Sequence, residues 1–285
     1  MNSKLQLIDK IADLAARDGD HQYVILTHSG TAALKLALIA THIRSGRGFT
    51  PSKKDYPGTN SIIDQVQIKE VGTKPSFIYT SISGAVETDL EDTSSYVVAD
   101  LCRSDISPVA VNDKLIRCYS FGNHKPMDSG TGGGCVITSS AKLYSLMLRV
   151  TSPLSSLINS DISPRFHDKY DMYPCQVNEL NAKWDNMLER KVAQSKQAYK
   201  ILRNLSECSI PIDFRVGIYG IILRNCSNKI TTAKLVTGLR LRGIYCSVGV
   251  IDPSTIEIPI APNSNKSADE LTAIFTSVLP YVDVK

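Results

Sequence analysis

Residues 22–43, QYVILTHSGTAALKLALIATHI, run an apolar, β-branched stretch into a turn of small residues and straight on into an Ala/Leu-rich helix. Strand, turn and helix in this order are the repeating unit of an α/β fold. Ala and Leu have the highest intrinsic helix propensities, so the second half favours a helix before any packing is considered. PSFIYTSISG, SSYVVADLC and KLIRCYSFG carry the Val, Ile, Tyr and Phe content of buried strands. GGCVITS adds another, ahead of a helical SAKLYSLMLRV. Runs this apolar, separated by crossovers, belong to a mostly parallel sheet covered on both faces. A 285-residue chain that is 42% hydrophobic can fill such a core.

Between Thr41 and Lys74 no period is sustained, and RSGRGFTPSKKDYPGTN reads as an exposed loop. TSPLSSLINSDISPRFHDKYDMYP reads as a second loop. From Val177 the apolar positions recur at Leu180, Trp184, Met187 or Leu188, Val192, Tyr199, Leu202 and Leu205, the spacing of a helix about eight turns long. A helix of that length links domains. Beyond it GIYGIILRN, YCSVGV and TIEIPIA read as strands, and KITTAKLVTGLRLRGI as a helix ending near Gly243. SADELTAIFTSVLPYV reads as a last helix, with Ser267 as N-cap and Glu270 completing a capping box. The expected organisation is a large domain over residues 1–185 and a small α+β domain over 186–285, led by the long helix. Trp184, on that helix's apolar stripe, is expected in the core or at a subunit interface.

The 32 basic and 28 acidic residues are spread along the chain, so the net charge of +4 marks neither a nucleic-acid tail nor a membrane patch. No apolar run approaches the roughly 18 residues of a membrane span. Seven cysteines without a CxxC pair support neither a zinc site nor a disulfide framework, and the histidines lack metal-ligand spacing. A soluble cytoplasmic protein with free thiols and no bound metal is expected.

Three features fall where open parallel sheets bind ligands, at strand ends and helix starts. HSGTAAL puts Ser29, Gly30, Thr31 and Ala32 at a helix N-terminus, where free N–H groups favour a phosphate; Ser29 or Thr31 there is equally an ordinary helix cap. Asp100 ends the strand YVVAD, either capping the next turn or holding a protonated ligand nitrogen. Lys125 follows the next strand in SFGNHK, either solvated in a loop or placed for an aldehyde. GTGGG has neither the order of a P-loop nor the setting of a dinucleotide site. Jointly, a phosphate site, a strand-end carboxylate and a lysine are the parts that hold pyridoxal 5′-phosphate.

With SGTAAL, VVADLCRS, SFGNHK, GTGGGCVIT and VNELNAKW in this order, the chain resembles the DegT/DnrJ/EryC/StrS family of sugar aminotransferases. The resemblance implies an α/β fold type I architecture, like that of aspartate aminotransferase, and a homodimer. It implies that Lys125 binds the cofactor aldehyde covalently, that Asp100 pairs with the pyridine nitrogen, and that Ser120, Gly30, Thr31 and Ala32 hold the phosphate. Arg103 stands where the family has a glutamine against the ring hydroxyl, and Phe49 or Tyr56 would supply the aromatic that stacks on the ring. The implied substrates are a keto sugar on a nucleotide carrier and an amino donor, glutamate or glutamine. Departures are concentrated in GTGGG, which lacks the family's glutamate, and in Pro174, which replaces an asparagine, with Asp171 and Asn178 close by. A second class is a non-catalytic relative acting as a partner subunit. A third is a sugar dehydratase, which in this family has histidine for the lysine; here His124 adjoins Lys125.

Overall fold

The computed structural model describes residues 3–49, 56–68, 76–81, 84, 96–151, 169–207, 214–224, 229–249 and 252–278. Helix α1 (Ser3–Ala15) leads into β1 (Tyr23–Thr27) and α2 (Gly30–Ser45), followed by α3 (Pro57–Val66), β2 (Phe77–Thr80), β3 (Val97–Asp100), β4 (Leu115–Ser120), β5 (Gly134–Thr138) and α4 (Ala141–Thr151). The sheet order is β1-β5-β4-β3-β2. Strands β2, β3 and β4 pair in parallel, and β5 runs antiparallel to both β4 and β1. Four of the five strands therefore point one way, and their C-terminal ends share one edge.

Strand periodicity assigns the two cores. Ile25, Val98, Ile116, Cys118 and Val136 face α2, α3 and α4, while Val24, Leu26, Val97, Ala99, Leu115, Tyr119 and Ile137 face α1 and the long helix. Helix α2 is buried at almost every position from Ala32 to Thr41, because it has the sheet on one side and α3 and α4 on the other.

The stretch read as an exposed loop contains α3, and this corrects the expectation. Pro57 starts the helix at a position where its missing N–H costs nothing, and Ile62, Ile63 and Val66 join the core. One face of ten residues is too short to establish a period. Phe49 is fully buried in the same core, so it is not the aromatic of the site. Of the second expected loop, residues 151–174, positions 152–168 lie outside the described residues.

Helix α5 (Pro174–Glu207) has 34 residues, roughly 50 Å at about 1.5 Å per residue. Its first half packs Val177, Leu180, Trp184 and Met187 beneath the large sheet, and Ile201 and Leu205 enter a separate core. That core closes a second sheet, ordered β6-β7-β9-β8 and antiparallel throughout, formed by β6 (Phe214–Val216), β7 (Gly220–Leu223), β8 (Ser247–Val248) and β9 (Ile256–Pro259). Helices α6 (Lys229–Leu241) and α7 (Ala268–Val278) complete it. The capping box forms as read: the Ser267 N–H donates to Glu270 Oε2 at 2.6 Å and the Glu270 N–H to Ser267 Oγ at 3.1 Å.

Candidate active site

The C-terminal edge of the large sheet opens into a cavity of about 210 Å³ lined by residues from five segments. Gly30 and Thr31 come from the start of α2, Asp100 and Arg103 from the end of β3 and its following turn, and Ser120 and Lys125 from the end of β4 and its turn. Six of the seven residues named from the sequence thus meet in one place. The seventh, Ala32, is buried behind them, and its N–H donates to Ser29 Oγ at 3.1 Å. Ser29 is the N-cap, with extended backbone, so this N–H is already satisfied. The cap also answers the choice between Ser29 and Thr31.

Gly30 has a steric reason. A Cβ built there would lie 2.6 Å from Ser120 Cβ and 2.9 Å from Cys102 Sγ. A side chain at this position would push the helix N-terminus away from the ends of β3 and β4.

Asp100 caps the turn, as one of its two readings asked, and also lines the cavity. Its Oδ1 accepts from the Cys102 N–H at 3.1 Å, capping the turn, and the buried carboxylate still lines the cavity. Lys125 is brought in by a tight turn in which its N–H donates to Gly122 O at 3.2 Å. His124 takes a left-handed φ of 65° there, and its N–H donates to Asp128 Oδ2 at 2.9 Å. The consequence is that Lys125 points inward while His124 is exposed, its ring 5.4 Å from that of Tyr245. The lysine, not the histidine, is the cavity's amine.

Burial holds the Lys125 ammonium below the usual lysine range, and repulsion from Arg103 acts the same way. Burial also pushes up the neighbouring Cys102 thiol, with Asp100 and Cys118 adding to the effect, so it stays protonated at neutral pH.

Of the two aromatics that the sequence offered, Tyr56 lines the cavity. Sequence reasoning missed three further contributors, Thr80, Glu257 and Tyr219. Thr80, which pairs with Asp100 across β2 and β3, lines the cavity too, and its buried hydroxyl has no partner among the described residues. From the small sheet, Glu257 accepts a hydrogen bond from Arg103 Nη2 at 2.7 Å, and the Tyr219 ring lies 4.5 Å from the Arg103 guanidinium and 5.5 Å from Lys125 Nζ. Glu257 stood in TIEIPI as a charge on an alternating strand, the pattern of a solvated face.

The donor set fits pyridoxal phosphate. A helix N-terminus and the hydroxyls of Thr31 and Ser120 suit a phosphate, a buried carboxylate suits a pyridinium, and a desolvated amine suits an aldehyde. The orphaned Thr80 hydroxyl calls for a further polar group. Among the described residues no group of side chains could hold a metal ion, and no helix is long and apolar enough to cross a membrane. Asp171 is paired with Lys4 at 3.1 Å and is not among the residues lining the cavity, and the GTGGG turn lies outside that lining as well.

No family model matches the chain, and no curated protein matches it in sequence. Solved structures do match. DesV of S. venezuelae, in complex with a ketimine intermediate, superimposes with a TM-score of 0.73 at 13% identity, over 100% of this chain and 90% of that one. A DegT DnrJ EryC1 StrS aminotransferase from Brucella abortus gives 0.68 at 14%, over 98% and 91%. The chain has the fold of these enzymes. E. coli GDP-4-keto-6-deoxy-D-mannose-3-dehydratase with bound hydrated PLP gives 0.68 at 11%, over 99% and 92%, so the fold is common to transfer and dehydration. The choice between them rests on side chains.

Proposed function

We propose that this chain is a pyridoxal-phosphate-dependent aminotransferase that passes an amino group from an amino-acid donor, glutamate or glutamine, to a keto sugar carried on a nucleotide. We place it in the cytoplasm as a homodimer, with the cofactor held by the segment over residues 1–185. The observation that supports this reading is the convergence of Lys125, Asp100, Ser120 and the α2 N-terminus in one cavity from three separate segments. A lysine at that point, with His124 turned outward, favours amino transfer over dehydration.

When bound, the cofactor supplies an electron sink for the carbon next to the donor's nitrogen. The chain's own residues do the rest. Thr31, Ser120 and the α2 N-terminus bind the phosphate. Asp100 would keep a proton on the pyridine nitrogen, because a neighbouring carboxylate favours the charged ring. Tyr56 offers a flat apolar face. Lys125 would take the proton from the donor's Cα and later return one, a role that needs the neutral amine its buried position favours.

The test is the absorption spectrum of purified protein mixed with pyridoxal phosphate, beside Lys125→Ala. A visible band in the first that borohydride removes, absent in the second, is expected, followed by loss of the band on adding glutamate or glutamine. A band without any response to amino donors would move the chain to a binding or partner role. No band in either protein would end the cofactor assignment.

A further inference from the structure

The contact between the smaller sheet and the cavity rests on a buried ion pair. Arg103 and Glu257 lie 154 positions apart, their side chains are 12% and 3% exposed, and they meet at 2.7 Å. Alternation along β9 explains why Glu257 faces this way: Ile256 and Ile258 enter the small core, so the residue between them points to the opposite face. Tyr219, at the β6–β7 turn, stacks on the same guanidinium, a contact that a planar cation makes well and an ammonium does not. Burial opposes the charge on Arg103, and the hydrogen bond to Glu257 together with the interactions with Tyr219, the Glu257 carboxylate and Asp100 more than offsets it. A buried pair adds little net stability over an apolar pair of similar size, but removing one partner strands a charge. What the arrangement does securely is fix where the guanidinium sits.

We propose that Glu257 is the positioning residue for Arg103: the smaller sheet holds a cation in the wall of the Lys125 cavity, so the charge of that wall depends on a contact made outside it. The inference rests on the Lys125 cavity being the ligand site. The charged or titratable groups facing Lys125 are Cys102, Arg103, Asp100 and Glu257, with the Tyr219 ring above. Among them Arg103 alone is a cation, and it opposes protonation of the amine, whereas the Glu257 carboxylate favours it.

These opposite signs make the test sharp. Arg103→Gln, Glu257→Met and the double variant are compared, without cofactor, by the rate at which an amine reagent modifies Lys125, followed by mass spectrometry across pH. Arg103→Gln is expected to slow modification several-fold near neutral pH, because the amine regains its proton. Glu257→Met is expected to slow it too, because the released guanidinium leaves the wall, and to slow it no further in the Arg103→Gln background. If Glu257→Met instead speeds modification, or slows it equally in both backgrounds, Arg103 holds its place without Glu257 and the proposal falls. Should Glu257→Met not fold, Glu257→Gln, which keeps the size of the side chain without its charge, takes its place in the same comparison with the same expected and overturning outcomes. Failure of the wild-type protein to take up pyridoxal phosphate would overturn the functional reading separately, since the labelling needs no cofactor.

Discussion

The two sides of the cavity are built on different principles. On the large-sheet side every polar residue stands at the end of a strand or the start of a helix, within a few positions of the turn that aims it. On the small-sheet side nothing is local: Tyr219 and Glu257 reach the site because two separately built cores pack against each other. The first side is the product of motifs, and the second of tertiary packing. Variants of the first should therefore abolish binding or chemistry while leaving the fold intact, and variants of the second should alter the site by loosening a contact.

The largest effect belongs to the motif side. Lys125→Ala is expected to lower the single-turnover rate with an amino donor by at least about 100-fold, the low end of what a positioned general base contributes, with an unchanged circular-dichroism spectrum. Asp100→Asn follows. Loss of a charge-assisted partner, worth about 1.5–3 kcal/mol, is expected to weaken pyridoxal phosphate binding by roughly 10- to 100-fold, measured by spectral titration. An equal loss of stability in either variant would mean that the residue serves the fold rather than the ligand.

How far the sequence spoke follows the same division. The strands and α2 were legible because their residues are apolar at the period of the element they form, and Gly30, Asp100 and Lys125 because each lies at or just beyond the end of such an element, whereas Ser120 came from the family resemblance alone. Helix α3 was hidden, since one buried face flanked by Gly, Pro and Lys-rich segments does not establish a period. Glu257 was hidden for a stronger reason. An Ile-Glu-Ile alternation looks the same whether the acid faces water or a guanidinium, and only the packing of one sheet over another decides between them. The assignment of Ala32 to the phosphate meets a detail of the same kind, because the serine three residues earlier already accepts from its N–H.

The seam itself can be loosened without touching a charge. Gly84 has a φ of +86°, and a Cβ there would meet Arg103 O at 2.3 Å and Tyr219 N at 2.8 Å, both backbone atoms that cannot give way cheaply. Gly84→Ala is expected to cost about 1–3 kcal/mol from overpacking. Hydrogen exchange should rise in β7 and β9 and stay unchanged in β3, β4 and β5. Exchange that rises in the large sheet as well would mean that the two cores unfold as one, and the contrast between the sides would lose its energetic meaning.

The smallest effect, a pH dependence, tests the motif side by its penalty. Burial of Lys125 disfavours its ammonium, so the folded chain releases that proton at lower pH than the unfolded one. Between the two pKa values the unfolded state binds more protons, and stability therefore rises with pH through that window. Below it both states carry the charge, and the cost of burying it is paid in full; above the ordinary lysine value of about 10.4 both are neutral and the cost is gone. Lys125→Met keeps the length of the side chain without the charge. It is expected to have a higher urea midpoint than the wild type at pH 7, with the gap closing as pH rises toward 10. A gap that is absent at pH 7 would mean that solvent reaches the amine in the folded chain, and the neutral base that amino transfer needs would then require the bound ligand to exclude it.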